Sequence, residues 1–439
     1  MSKSNYILLA SLFAFSVFAQ EPHKKPLTLD EAIGLSMQNG KEIKKANAKT
    51  NASKLQVNSA KNLRYPTIEV SGQYMHLFEG TDVKLKIPLP GQGAANGASP
   101  VKPEHLLMGQ ANAIIPIFSG FKIRNLVKQS QQAYEMATIA ESATAENTVW
   151  QTINLYFALY KTQQSIDLLQ ENLKRAHQRV TDFQNFLDNG LIARNDFLRA
   201  QLQESNVELS LQETLTSFKN LNMRLNTILG LPMEEAFAIQ PIKSLDVLPT
   251  GESDIESRKD LQGAQKNTEL AQSSIRVARS GYYPSIAVHG GYAAMQLDKV
   301  IDITNANNIG IGLKYDLSSI FKNRTEVKIA KAKKIEAEYQ LQIVEDNANY
   351  EIKEAFNAYE LALKKNNVLA QALEQANENY RITKDKYDNG LADTDQLLEA
   401  DVQQLQAQIN EMIGKADETM SLYQYAYKTG KLLDNIELQ

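Results

Sequence analysis

The stretch Tyr65-Pro66-Thr67-Ile68-Glu69-Val70-Ser71-Gly72-Gln73-Tyr74 returns as Tyr283-Pro284-Ser285-Ile286-Ala287-Val288-His289-Gly290-Gly291-Tyr292. Both copies read Y-P-x-I-x-V-x-G-x-Y, at an offset of 218 residues. Working outward, Asp188-Asn189-Gly190-Leu191 with Leu198-x-Ala200 recurs as Asp388-Asn389-Gly390-Leu391 with Leu398-x-Ala400, and Phe121-Lys122-x-Arg124 as Phe321-Lys322-x-Arg324, all at an offset of 200. The 18-residue difference falls between Tyr74 and Pro116, where the first copy carries the longer loop. Three matches in one order make the chain two copies of one plan.

Proline and glycine placement says what each copy is made of. No Pro occurs from Ile117 to Leu231 or from Ser285 to Gln439, and Gly190 is the one Gly between Phe121 and Leu229. Such stretches, rich in Ala, Gln, Glu, Lys and Leu, favour long helices. Ile166, Leu169, Leu173, Ala176, Val180, Phe183 and Leu187 step alternately by three and four, as do Leu398, Val402, Leu405, Ile409, Met412 and Ala416. That is a coiled-coil seam. With helical flanks, each Asn-Gly reads as a left-handed residue ending a helix. The pattern predicts two helical hairpins, about 119–230 and about 319–429, with longer arms of roughly 100 Å.

Strands follow from alternation of apolar and polar residues. Ile68, Val70 and Tyr74 alternate with Glu69, Ser71 and Gln73, and Ile309-Gly310-Ile311-Gly312-Leu313-Lys314 is apolar at odd positions. Four segments, about 66–77, 106–117, 284–294 and 308–317, are predicted. Their length and single apolar face suit an outer-membrane strand. A sheet in a soluble domain has the same alternation, and the pattern alone leaves both open. Four strands cannot close a barrel by themselves, so oligomerisation follows if they span lipid. The Pro- and Gly-rich stretch 87–103 reads as a surface loop, and 231–252, with Pro232, Pro241 and Pro249, as a linker.

The N-terminus reads as a targeting segment. Lys3 precedes an apolar run from Tyr6 to Phe18, and Ala19 supplies a small residue at a cleavage site before Gln20. Residues 1–19 are therefore expected to be a signal peptide, with a first structural repeat over 20–252 and a second over 253–439. Cysteine is absent, which excludes disulfides, thiolate nucleophiles and Cys-based metal sites. Net charge is −4, with no basic footprint for nucleic acid. Enzyme signals are poor: the five histidines are scattered and form no His-Glu-x-x-His, and Gly414-Lys415 lacks the remainder of a phosphate loop. Neither a catalytic residue nor a cofactor nor a metal site is expected.

The opening Leu27-Thr28-Leu29-x-Glu31-Ala32-Ile33, the paired Tyr-Pro-x-Ile starts and the paired Asn-Gly-Leu corners with Leu-x-x-Ala beyond them together resemble the TolC-like outer membrane efflux protein family. The resemblance covers nearly all of the mature chain. It implies a mixed α+β membrane protein: a long α-helical coiled-coil barrel plus four transmembrane β-strands per protomer, closing a 12-stranded barrel in a homotrimer. It also implies a cell outer-membrane location reaching into the periplasm. The partners it implies are outer-membrane lipid, a periplasmic membrane-fusion adaptor and an inner-membrane pump of RND, ABC or MFS type. By the same resemblance Gly190, Leu191, Ala193, Gly390 and Leu391 are the corners that receive the adaptor, in efflux or type I secretion. A periplasmic gate falls on Tyr387 of the inner hairpin and Asp196 of the outer one, with an acidic constriction at Glu399 and Gln396. This sequence departs from the pattern at Ala392, where the best-known members have an Arg, and at Gln396, where they have an acid. A non-transporting coiled-coil spacer is the rival reading; it accounts for the seams and not for the four alternating segments.

Overall fold

The computed structural model describes residues 25–78, 81, 101–245, 249 and 255–437. The expected leader 1–19 and the loop positions 87–100 lie outside the described residues. In chain order the first elements are β1 Lys25–Leu27, α1 Leu29–Asn39, α2 Lys41–Asn62, β2 Thr67–His76 and β3 His105–Phe118. Two long helices follow, α3 Lys122–Asp188 and α4 Arg194–Leu229, and then β4 Phe237–Ile239 and α5 Lys259–Ser280. The rest comprises β5 Ser285–Leu297, β6 Ile301–Lys314, α6 Ser319–Asp388, α7 Thr394–Lys428 and the short α8 Leu432–Glu437. These elements form two compact units, one from Met1–Gly40, Thr148–Asp246 and Tyr359–Leu422, the other from Lys41–Asn147, Val247–Ala358 and Tyr423–Gln439. Each sequence repeat contributes to both units.

In the first unit, Thr28 opens α1 with a reciprocal cap. The Glu31 N–H donates to Thr28 Oγ1 at 3.2 Å, and the Thr28 N–H donates to Glu31 Oε2 at 3.0 Å, satisfying two otherwise orphaned donors. The expected linker carries a strand: β4 pairs in parallel with β1, Leu27 opposite Ile239. This pair is held from below by Tyr156 of α3, which is fully buried. Its hydroxyl lies 2.8 Å from the Leu27 carbonyl and 2.9 Å from the Gln240 carbonyl, and accepts from the Gln240 N–H at 3.1 Å. Burial pushes the Tyr156 hydroxyl up to about 12. The core of the unit joins Ile166 and Leu169 of α3 to Val207 and Leu211 of α4, with Leu405 of α7 packed against them. Gly414 on α7 has a packing reason, since a Cβ there would meet Leu369 Cδ1 at 2.7 Å.

In the second unit, β2, β3, β5 and β6 form one antiparallel sheet in that order. Successive residues of a strand face opposite sides, so the register sorts the sheet into two faces. Ile68, Val70, Tyr74, Ile309, Ile311 and Leu313 lie on one; Glu69, Gln73, Asn112, His289 and Asn308 lie on the other. The apolar face is bare: Val70, Ile309 and Ile311 are 80%, 85% and 76% exposed. β6 begins at Ile301, well before the predicted 308: Ile301, Asp302 and Ile303 pair with Leu297, Gln296 and Met295, and the register shift across Thr304 and Asn305 breaks the alternation that would announce them. Arg258 anchors the start of α5, pairing with Asp260 at 2.6 Å and Glu351 at 2.9 Å and donating to the Lys428 carbonyl at 2.9 Å.

Candidate functional site

The candidate site lies wholly in the first unit, at the two corners and the helical turns that follow them. Gly190 and Gly390 both have φ of 71°, a left-handed conformation that any side chain would strain. Around each the same two bonds close the helix end. The Gly190 N–H donates to the Leu187 carbonyl at 2.9 Å and the Leu191 N–H to the Phe186 carbonyl at 2.8 Å. At the second corner, Gly390 donates to Tyr387 at 2.9 Å and Leu391 to Lys386 at 2.8 Å. This is the paired bonding of a Schellman end. It leaves Leu191 and Leu391 projecting, 71% and 78% exposed.

The two corners restart differently. Asp393 caps α7, its Oδ1 accepting from the Gln396 N–H at 2.9 Å. Ala193, at the matching place before α4, has no side-chain acceptor; instead Asp196 Oδ2 accepts from the Ala193 N–H at 3.3 Å. Asp196 is thus engaged in holding its own helix start. Tyr387 is half-buried, stacked on Phe183 at 5.9 Å with planes 19° apart, and its hydroxyl bonds to Thr394. Burial, the largest influence, pushes the Tyr387 hydroxyl up; the Thr394 bond opposes this, and the nearby Asp196 charge adds to it. The two expected gate partners are therefore neighbours in the electrostatic sense, and no hydrogen bond joins them among the described residues. Gln396 and Glu399 are exposed together, one turn apart on α7, while Leu397, Leu398 and Ala400 are buried on its other side. Glu399 Oε1 accepts from Gln403 Nε2 at 3.2 Å.

Two polar links between the hairpins were missed by the sequence reading. Arg199 of α4 pairs with Asp395 of α7, one turn from Asp196 and immediately before Gln396. It places a guanidinium on the outer hairpin, where the family pattern puts one on the inner hairpin at position 392. Arg179 of α3 pairs with Asp401 of α7 at 3.1 Å, and its other guanidinium nitrogen reaches the Tyr380 hydroxyl of α6 at 3.5 Å. Asp401 is 1% exposed, whereas Val402, assigned to the seam by spacing, is 43% exposed. The seam turns by one residue here because the carboxylate goes inward to meet Arg179. Burial works against the Arg179 charge, but Asp401 outweighs it and holds the guanidinium above its ordinary range. Among the described residues Asp401 Oδ1 has no hydrogen-bond partner, so the Arg179–Asp401 pair is incompletely satisfied, and Arg175 Nε, one turn earlier on α3, has none either. Arg179 stands beside Val180 of the seam, three residues after Ala176 and four before Phe183, a spacing too common on a charged helix to single it out.

This arrangement is polar, rich in opposed charges across helices, and lacks a nucleophile paired with a base. The chain as a whole is similar to outer-membrane channels. The family model described as outer membrane efflux protein matches residues 32–231 and 252–420. Outer membrane efflux protein BepC of Brucella suis biovar 1 (strain 1330) is 21% identical over 252 residues, covering 56% of this chain and 55% of that relative. The chain thus matches little more than half the length of this curated relative. The CmeC outer membrane channel of Campylobacter jejuni superposes with a TM-score of 0.78 at 16% identity, over 92% of this chain and 86% of that one. The outer membrane protein VceC from Vibrio cholerae gives 0.76 at 18% identity, over 92% and 96%. With its fold shared by these channels and most of its length matched by the family model, the chain belongs to the outer membrane efflux protein family, and its place is the outer membrane.

Proposed function

We propose that the protein is the outer-membrane channel-tunnel of a tripartite efflux or type I secretion system, a passive duct fed by an inner-membrane pump. The observation that carries this reading is the four-stranded sheet with two unpaired edges, β2 and β6, and one bare apolar face. Strands of 10 to 14 residues are long enough for a tilted crossing of the hydrocarbon layer, which takes about 9–11. Backbone edges cannot be left open in lipid. Three copies joined edge to edge would close twelve strands. Exposed Leu198, Leu202 and Leu209 on α4, and Leu361 and Val368 on α6, recur at helical spacing and give a second copy apolar stripes to cover.

In this reading the projecting Leu191 and Leu391, fixed by Gly190 and Gly390 and followed by Ala193, receive a periplasmic adaptor. Tyr387 and Asp196, with Gln396 and Glu399 beyond, form an iris-like gate. Arg199–Asp395 takes the place of the link lost at Ala392. Opening is a shear of packed helices, resisted by the polar contacts between hairpins.

Tag-free protein purified in detergent and inserted in planar bilayers tests this. Small, long-lived, cation-selective single-channel steps are expected. A particle that stays soluble without detergent and never inserts would favour the coiled-coil spacer.

A further inference from the structure

Antiparallel pairing brings together two of the histidines that are scattered in the sequence. His76, the last residue of β2, stands directly opposite His105, the first residue of β3. Their Nδ1 atoms are 3.4 Å apart, and the rings are 5.2 Å between centroids. Both are exposed. Each ring is steadied by an aromatic neighbour: Phe78 meets His76 edge-on at 5.4 Å, and Tyr74 stacks on His105 at 5.8 Å. The Tyr74 hydroxyl lies 2.8 Å from the same Nδ1 of His105.

We propose that His76 and His105 form a two-imidazole site for a late first-row transition-metal dication, Cu²⁺ or Zn²⁺, at the loop end of the β2–β3 pair. The geometry carries it. Two imidazole nitrogens each about 2.0–2.1 Å from a tetrahedral ion such as Zn²⁺ lie about 3.4 Å from one another, the separation already present; the cis positions of tetragonal Cu²⁺ are about 0.5 Å closer, a small rotation of the exposed rings. An ion between them engages both nitrogens at once. Neutral imidazole selects copper and zinc over calcium and magnesium, which take oxygen ligands. No group of three or more His, Asp or Glu side chains suited to a metal occurs among the described residues, so water or the Tyr74 hydroxyl completes the coordination. Glu104 is held by Lys299 at 2.8 Å, and its carboxylate lies close enough to both imidazoles to be stabilised by their positive charge when protonated; it adds attraction without ligation. A bound ion would staple the two strands where their connecting loop begins. The site is independent of the conduction and gating reading, since it needs only the β2–β3 register.

Tag-free protein in detergent is titrated with Cu²⁺ by calorimetry and followed by electron paramagnetic resonance. One tight ion per chain is expected, with superhyperfine structure from two nitrogens. His76→Asn and His105→Asn should each weaken binding at least about tenfold, while His289→Asn leaves it unchanged. Tyr74→Phe retains the two-nitrogen signal. A wild-type spectrum without two coordinated imidazole nitrogens overturns the site whatever the variants do. Equal affinity in the His76→Asn, His105→Asn double variant overturns it as well.

Discussion

Asp401→Leu leaves the Arg179 guanidinium buried with one long contact to Tyr380, beside the unpartnered Nε of Arg175. Removing one member of a buried ion pair costs about 3–5 kcal/mol, because the surviving charge is stranded out of water. Unfolding entropy near 2.1 cal/mol/K per residue makes a chain of 439 residues lose about 1 °C in Tm per kcal/mol. The expected drop is therefore about 3–5 °C for Asp401→Leu, and similar for Arg179→Met. The double variant should behave otherwise. The native pair leaves Asp401 Oδ1 unbonded, so its Coulombic gain barely covers desolvation, and replacing both partners with apolar side chains should restore Tm to within about 1 °C of wild type. Far-UV circular dichroism in detergent at one scan rate measures all four proteins, and the cycle isolates the pair from packing changes. Additive losses, with the double variant worse than either single one, would refute the reasoning, as would singles indistinguishable from wild type.

Four further outcomes are expected. Tyr156→Phe removes the hydroxyl shared by the Leu27 and Gln240 carbonyls; Leu27 keeps its bond from the Gln240 N–H, so the Gln240 carbonyl is the one stranded, and stability should fall by about 1–3 kcal/mol; denaturant titration with an unchanged midpoint would show the bonds to be idle. Because the Tyr156 pKa is raised to about 12, the unfolded chain ionises this tyrosine first; its contribution is complete below about pH 10 and declines by about 2–3 kcal/mol as pH climbs to 12, a slope that the Phe variant should lack. If Tyr387 and Asp196 hold the gate, Asp196→Ala with Tyr387→Phe raises single-channel conductance, and an unchanged closed state removes them from that role. If Glu399 lines the bore, Glu399→Gln weakens cation preference in the reversal potential under a salt gradient; an unmoved reversal potential places it elsewhere.

What could be read from sequence was whatever a local rule enforces. Asn-Gly between helical flanks demands a left-handed residue, and Gly190 and Gly390 adopt it with identical bonds. Ile309, Ile311 and Leu313 announce a strand because alternation has one cause. The start of β6 was hidden, since the register shift across Thr304 and Asn305 interrupts the apolar alternation between Ile303 and Ile309. Arg179 and Asp401 were hidden for another reason. They lie 222 positions apart, and on helices this rich in charge each reads as a solvated face. Val402 looked apolar enough to own the seam, and only the tertiary ion pair turns Asp401 inward. Position 392 was legible as a loss, whereas the substitute, Arg199 with Asp395, needed two helices side by side.

The order β2-β3-β5-β6 also fixes when the sheet can form. Leu297 meets Ile301 four positions away, but it also meets Leu106 across 191 positions. Closing the longer span from a free coil costs about 3 kcal/mol more in chain entropy than closing the shorter. Folding is fastest where contacts are local, so α3 and α4, which occupy much of that span, must collapse on each other before β3 can find β5. Each hairpin is then complete on its own while the central seam is still unmade. In that interval the chain carries four unpaired strand edges, and even after the seam forms, two remain. The transit time between hairpin formation and assembly, more than final stability, sets how much of this chain is lost to aggregation.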